Sequence, residues 1–347
     1  MHRPILQRCA AFFLFFAIAH CAAHSQSTSI FDQIYRGPQE TPQVTIAANW
    51  DSLEHRKQQQ TPGFILFQNA AGETEKWPVR LEKRGAYRQL RCEIPPLKLD
   101  FGKGRLRRKG LSTHDDIKLV RYCIYGEEGK EYLVREYLAY QLLQVLTDCA
   151  FRVQLVDVTY QHQETGAEEQ QLGIFIEDFD QLAARLKLEQ PPKNRMGFKQ
   201  EELEPACAVR TSLFEYMIGN ADWALFLGKN VKLLKDTSLN RFHCVPYDFD
   251  FSGLVNAEAY AKPTNGQKKM TDRVYRGVPT SRKKLAPIVQ EFLDKRPQLE
   301  ATVEDCAMLS DASKTEILEY LGRFFEEVDT RAFYKMVEQA DPIENKF

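Results

Sequence analysis

The chain lacks most of the features that would commit it to a simple class of protein. After the apolar run Ala10 to Ala19 (AAFFLFFAIA), no stretch approaches the roughly 20 apolar residues that a helical bilayer span needs. A retained transmembrane helix is therefore not expected. Net charge is also lacking: −1 over 347 residues argues against a general polyanion binder, and no nucleic-acid partner is expected. Cysteine is sparse, with 8 in all and no C-x-x-C spacing, which excludes a disulfide scaffold and a zinc ribbon. No G-x-S-x-G or H-E-x-x-H motif, internal repeat or low-complexity tract is present. His114, His162 and His243 stand isolated in the sequence and read as structural.

What is present begins with a secretory signal. Arg3 and Arg8 precede the apolar run, and the small residues Ala23 and Ser25 lie two apart, where a signal peptidase cuts. The mature chain is expected to begin at Gln26, exported to the periplasm or outside the cell. Lipid anchoring through Cys21 is the alternative, disfavoured by the bulky His20 before it. At 43% hydrophobic and 27% charged, the remainder has material for a real core, and its length suits two packed lobes.

Residues 26–60 are polar and read as a leader. Strand signals follow at Phe64–Phe67, Pro78–Glu82, Lys98–Phe101 and Ile117–Tyr125, then a helix of period 3.6 at Glu131–Asp148. Two more strands, Val153–Tyr160 and Leu172–Ile176, complete a β-rich unit over 61–178. From 179 to 347 the texture is helical, with helices at Asp180–Leu188, Pro205–Ile218, Lys284–Lys295 and Ser313–Glu338. A hairpin of Asn230–Leu234 and Phe242–Tyr247 interrupts it. Cys92 and Cys123, on strands of one unit, are expected to form a disulfide.

The residues that look chemical cluster around that hairpin. Asp222 follows a helix, Asn230 opens one strand, and Asp248 and Asp250 close the other in PYDFDFSG. Hairpin ends return side by side, and such oxygen ligands suit Mg²⁺; turn-forming roles for Asp and Asn fit the same spacing. Of the two late aspartates, Asp248 follows directly on a strand and is the better-fixed ligand. Lys118 sits between apolar neighbours on its strand, and Glu136 lies on the apolar stripe of the next helix, so the two are expected to pair. A structural ion pair reads the same way. The stretch Lys262–Lys284 is strongly basic and fits either a docking surface or solvated loop.

Arg84-Gly85 with PPLKLDF, IKLVRY leading to REYLAYQLL, GIFIEDFD, GNADW with Asn230, and VPYDFDFSG come in an order that resembles the CotH-type secreted kinases over residues 79–254. The resemblance implies an α+β, two-lobed protein-kinase-like fold: a β-rich N-lobe with one helix, and a helical C-lobe. It implies ATP and Mg as cofactors, Lys118 on the phosphates with Glu136 as its partner, Glu177 and Asp178 beside the adenine, Asp222 as the catalytic aspartate, and Asn230 with Asp248 as metal ligands. Asp250 stands where such kinases carry a glycine. No glycine-rich loop is present; Arg84, Arg88 and Arg91 fit either a supply of charge to the phosphates in its place or a solvated strand edge. The function implied is transfer of the γ-phosphoryl of ATP to a hydroxyl on an envelope or secreted protein. A nucleotidyl transfer and a non-catalytic binding role are the alternatives.

Overall fold

The computed structural model describes residues 28–55, 60–192 and 197–340. The signal-peptide reading, with Arg3, Arg8, Cys21 and the cleavage point before Gln26, lies outside them.

The chain opens with α1 (Ile30–Ile34), β1 (Gln43–Ala48), α2 (Trp50–His55), β2 (Thr61–Gln68) and β3 (Thr74–Lys83). It continues through α3 (Ala86–Arg91), β4 (Leu97–Phe101), α4 (Lys103–Arg108), β5 (Asp116–Val120), α5 (Glu127–Leu146), β6 (Val153–His162) and β7 (Glu168–Ile176). The C-terminal part holds α6 (Phe179–Leu186), α7 (Pro205–Met217), the hairpin β8 (Val231–Asp236) and β9 (Arg241–Pro246), then α8 (Arg282–Glu304), α9 (Asp311–Glu327) and α10 (Arg331–Glu338). Among the described residues, no helix is long and apolar enough to cross a membrane.

The two-lobed kinase-like fold expected from the resemblance is overturned. Seven strands close into a mixed barrel in the order β1-β2-β3-β4-β5-β7-β6, with α1 to α5 interleaved among the strands and α6 to α10 in the C-terminal part. Closure comes from β1, which lies in the stretch read as a polar leader. Val44 to Ala48 pair antiparallel with β2, while Gln43 to Ala48 pair parallel with β6. Both edges that an open sheet would expose are thereby hydrogen-bonded. The strand is only QVTIAA, set among polar residues and prolines, so its alternation is too short to read against its flanks. Its Val44, Ile46 and Ala48 join Ile65, Leu81, Leu99, Phe101, Ile117, Val158 and Phe175 in a dry interior.

Helix α5 lies between the barrel strands β6 and β7 and helix α8, and is buried nearly all round, so no narrow apolar stripe describes it. The single C-terminal helix expected over Ser313–Glu338 is two. Thr330 breaks it by accepting a hydrogen bond from Phe333 N as the N-cap of α10.

Cys92 and Cys123 form the expected disulfide, which ties the end of α3 to the turn before α5. Glu93 N donates to Cys123 O at 2.8 Å, and Glu93 Oε2 accepts from Tyr125 N at 2.9 Å. By loop-closure arithmetic for residues 31 apart in sequence, replacing both cysteines by serine should cost about 3 to 4 kcal/mol of stability. Urea unfolding of the double variant checks this, and an unchanged midpoint would refute it.

Candidate functional site

Two loops and one short helix build a cleft of about 490 Å³, lined among others by Arg84, Arg88, Asp222, Lys229, Asn230, Asp248, Asp250 and Lys262. The first loop starts where α7 stops. Gly219, at φ +66°, lets Asn220 N reach Glu215 O at 2.9 Å while its own N–H reaches Tyr216 O at 3.1 Å, a Schellman turn. Asn220 Oδ1 then accepts Asp222 N at 2.9 Å, which sets the direction of the aspartate. The second loop is tied to the first through Gly253 N and Gly219 O, 3.0 Å apart.

The hairpin register pairs Val231 with Pro246, and Tyr247 N donates to Asn230 O at 3.0 Å, so Asn230 and Asp248 stand together as the spacing predicts. Both carry left-handed backbone, φ +55° and +68°. That conformation is costly for residues other than glycine, though asparagine and aspartate accept it most readily. Asn230 Nδ2 donates to Asp222 O at 2.7 Å and to Asp222 Oδ2 at 3.2 Å, which leaves its Oδ1 unspent. Lys229 pairs with Asp222 Oδ1.

Glu136 is not the partner of Lys118. Its Oε2 accepts from Arg88 at 3.0 Å, and the same guanidinium holds Asp250 at 2.8 Å and lies 3.8 Å from Asp248. The short helix α3 turns Arg88 inward, and the sequence gives no periodic signal for so short a helix. Arg88 is buried and its charge is consumed within the chain, whereas Arg84 lines the cleft with no ion-pair partner among the described residues. Asp250 is likewise enclosed, its side chain 5% exposed against 41% for Asp248. Both aspartates line the cleft, and Asp248 carries the more open carboxylate.

Three carboxylates thus converge on one guanidinium. Burial pushes the Glu136 carboxyl above its usual range, and the Asp250 carboxyl well above it, with Arg88 opposing. Glu136 Oε1 is buried with no hydrogen-bond partner among the described residues.

The opposite imbalance lies beside it. Lys118 Nζ sits 5.5 Å from the ring centres of both Phe151 and Tyr247, and no carboxylate among the described residues is within ion-pair distance. Burial, then the charges of Arg84 and Lys232, pull its pKa down to about 8. Lys232 Nζ lies 5.4 Å from the Tyr247 ring centre, and burial followed by Arg84 lowers its pKa too. Lys232 was missed in the sequence. Its signal is the one that marks Lys118, a lysine between apolar strand neighbours, here Val231 and Leu233.

Glu177 and Asp178 have engaged side chains. Glu177 is fully buried, held by Arg152 at 3.1 Å and Arg185 at 2.7 Å. Asp178 caps α6 through Asp180 N at 2.6 Å and accepts Asp116 N at 3.1 Å. The basic stretch is also partly spent within the chain, since Arg273 donates to Met217 O and Tyr320 O. Lys262 alone of its basic residues lines the cleft.

Comparison with protein-family models gives no match, and comparison with curated proteins likewise gives none.

Proposed function

We propose that the cleft binds Mg²⁺-ATP and transfers its γ-phosphoryl group to a hydroxyl on a protein acceptor, in an exported protein that works in the envelope or outside the cell. One observation carries this reading: cations with no ion-pair partner among the described residues (Arg84, Lys118, Lys232) lie beside carboxylates in excess of their one guanidinium (Glu136, Asp248, Asp250). A polyphosphate with its dication satisfies both imbalances at once, since the phosphates need the cations and the metal needs the carboxylates. The motif order resembling the CotH-type kinases favours ATP among polyphosphates. The signal-like N-terminus and the Cys92–Cys123 bridge favour an oxidising compartment.

The residues present fit the ion. Asp248 and the unspent Oδ1 of Asn230 are hard oxygen donors of the kind Mg²⁺ takes alongside phosphate oxygens, and the orphaned Glu136 Oε1 marks the negative excess behind them. Held there, Mg²⁺ would supply positive charge against the phosphate oxygens. Arg84, Lys118 and Lys232 hold and orient the phosphate chain. Asp222 takes the proton from the acceptor hydroxyl as its oxygen bonds to the γ-phosphorus and the bond to the ADP oxygen breaks. Lys229 and Asn230 fix the direction in which Asp222 faces.

Calorimetric titration with ATP, with and without Mg²⁺, tests binding, and mass analysis of the acceptor tests transfer. Binding only with Mg²⁺ is expected; its absence sinks the reading, and a nucleotidyl adduct on the acceptor would replace phosphoryl transfer by nucleotidyl transfer. Protonated Lys118 is the form that attracts phosphate. ATP affinity should therefore fall as pH rises through about 8, approaching about tenfold per pH unit for one proton, and Lys118→Met should flatten that limb. A parent profile flat between pH 7 and 10 would remove Lys118 from the site.

A further inference from the structure

Three side chains that are far apart in sequence meet behind the hairpin, and none of them lines the cleft. Cys149, in the turn after α5, places its Sγ 3.8 Å from Nδ1 of His243 on β9. Cys207, in the first turn of α7, completes the group, with one ligand atom of each residue within 4.8 Å of the others. The histidine read as isolated is therefore clustered, because strand, helix and turn converge only in the folded chain.

The Cys149–His243 separation of 3.8 Å is close to that around a tetrahedral ion, and the 4.8 Å bound on the group leaves about 1 Å of closure for Cys207. Bonds of about 2.3 Å to sulfur and 2.0 to 2.1 Å to nitrogen set sulfur and nitrogen roughly 3.6 Å apart, and two sulfurs roughly 3.8 Å apart. The other side of the imidazole is arranged accordingly. His243 Nε2 is buried without a hydrogen-bond partner and lies 3.8 Å from Asp236 Oδ2. Metal at Nδ1 places the ring proton on Nε2, facing a carboxylate, which is how metal-ligating histidines are oriented. Cys207 Sγ accepts from Cys244 N at 3.2 Å and, as a thiol, donates to Cys244 O at 3.4 Å. Loss of the proton keeps the first bond and gives up the second, so the charge of a bound ion would have to offset the carbonyl left facing the sulfur.

We propose that Cys149, Cys207 and His243 bind one Zn²⁺, with water in the fourth position beside the partly buried Cys149 and His243. Two thiols and a neutral imidazole become two thiolates and a neutral imidazole; two protons are released and nothing is oxidised. Two thiolates and an imidazole are a borderline-soft donor set, which selects Zn²⁺ over the Mg²⁺ of the cleft.

The test uses the whole chain, purified under reductant and freed of metal, with Co²⁺ as a spectroscopic probe and Zn²⁺ as competitor. A thiolate-to-cobalt charge-transfer band is expected, saturating at one equivalent and abolished by Zn²⁺. Oxygen ligands of the cleft give no such band. Cys149→Ser should weaken the band and lower Zn²⁺ affinity at least tenfold, Asp236→Asn should lower affinity about 10- to 100-fold, and Cys306→Ser should change neither. No band in the parent, a band undiminished in Cys149→Ser, or recovery of Cys149 joined to Cys207 in a disulfide would each overturn the proposal.

Discussion

Asp248→Ala is expected to abolish Mg²⁺-dependent ATP binding while the protein stays folded, and Asp222→Ala to keep binding while transfer falls about 10²- to 10⁴-fold. The two effects separate because the two carboxylates have different surroundings. Asp248 presents its carboxylate to the cleft with Arg88 no nearer than 3.8 Å, so removing it takes away a donor and leaves no buried charge unpaired. Asp222 is held by Lys229 and Asn230 at the place where an acceptor hydroxyl would give up its proton. Calorimetry and a single-turnover transfer assay on both variants read the difference. If Asp248→Ala binds Mg²⁺-ATP as tightly as the parent, the metal assignment is wrong. If Asp222→Ala transfers at the parent rate, the proposed base is wrong while the binding site stands.

Arg88→Met should be the most destabilising single change in the cleft, at about 3 to 5 kcal/mol, because it strands buried Glu136 and Asp250 without their common partner. Adding Glu136→Gln should recover part of the loss, since an amide carries no charge to desolvate. The pH dependence has a definite sign. Burial raises both carboxyls in the folded state, so folding takes up protons, and the penalty builds as pH rises above the unperturbed carboxyl range of about 4. The deficit of Arg88→Met should therefore be smallest near pH 4 and full at neutral pH. Denaturant unfolding across that range measures it, and a loss below about 1 kcal/mol at pH 7 would mean that the three groups do not form a buried cluster.

Period, composition and turn chemistry in the sequence by themselves located most elements of this protein: the alternation of β4, the β-branched and aromatic run that begins in β5 and overruns its end at Val120, the long α5, the stop at Gly219-Asn220, and the hairpin that returns Asp248 to Asn230. Each depends on neighbours within a few residues, which is why it can be read locally. The disulfide between Cys92 and Cys123 was legible as two half-cystines on one unit. Tertiary structure alone decided the closed barrel, because β1 is six residues long and its identity as a strand comes from partners on both sides, the next strand β2 and the distant β6, whose pairing closes the barrel. It alone gave Glu136 to Arg88 instead of Lys118, since a buried carboxylate takes whichever cation the packing brings within reach, and sequence spacing does not encode that distance. The grouping of Cys149, Cys207 and His243 has the same origin: ligands drawn from a turn, a helix and a strand share no local spacing, and only the packing of α7 against β9 brings them within coordination distance.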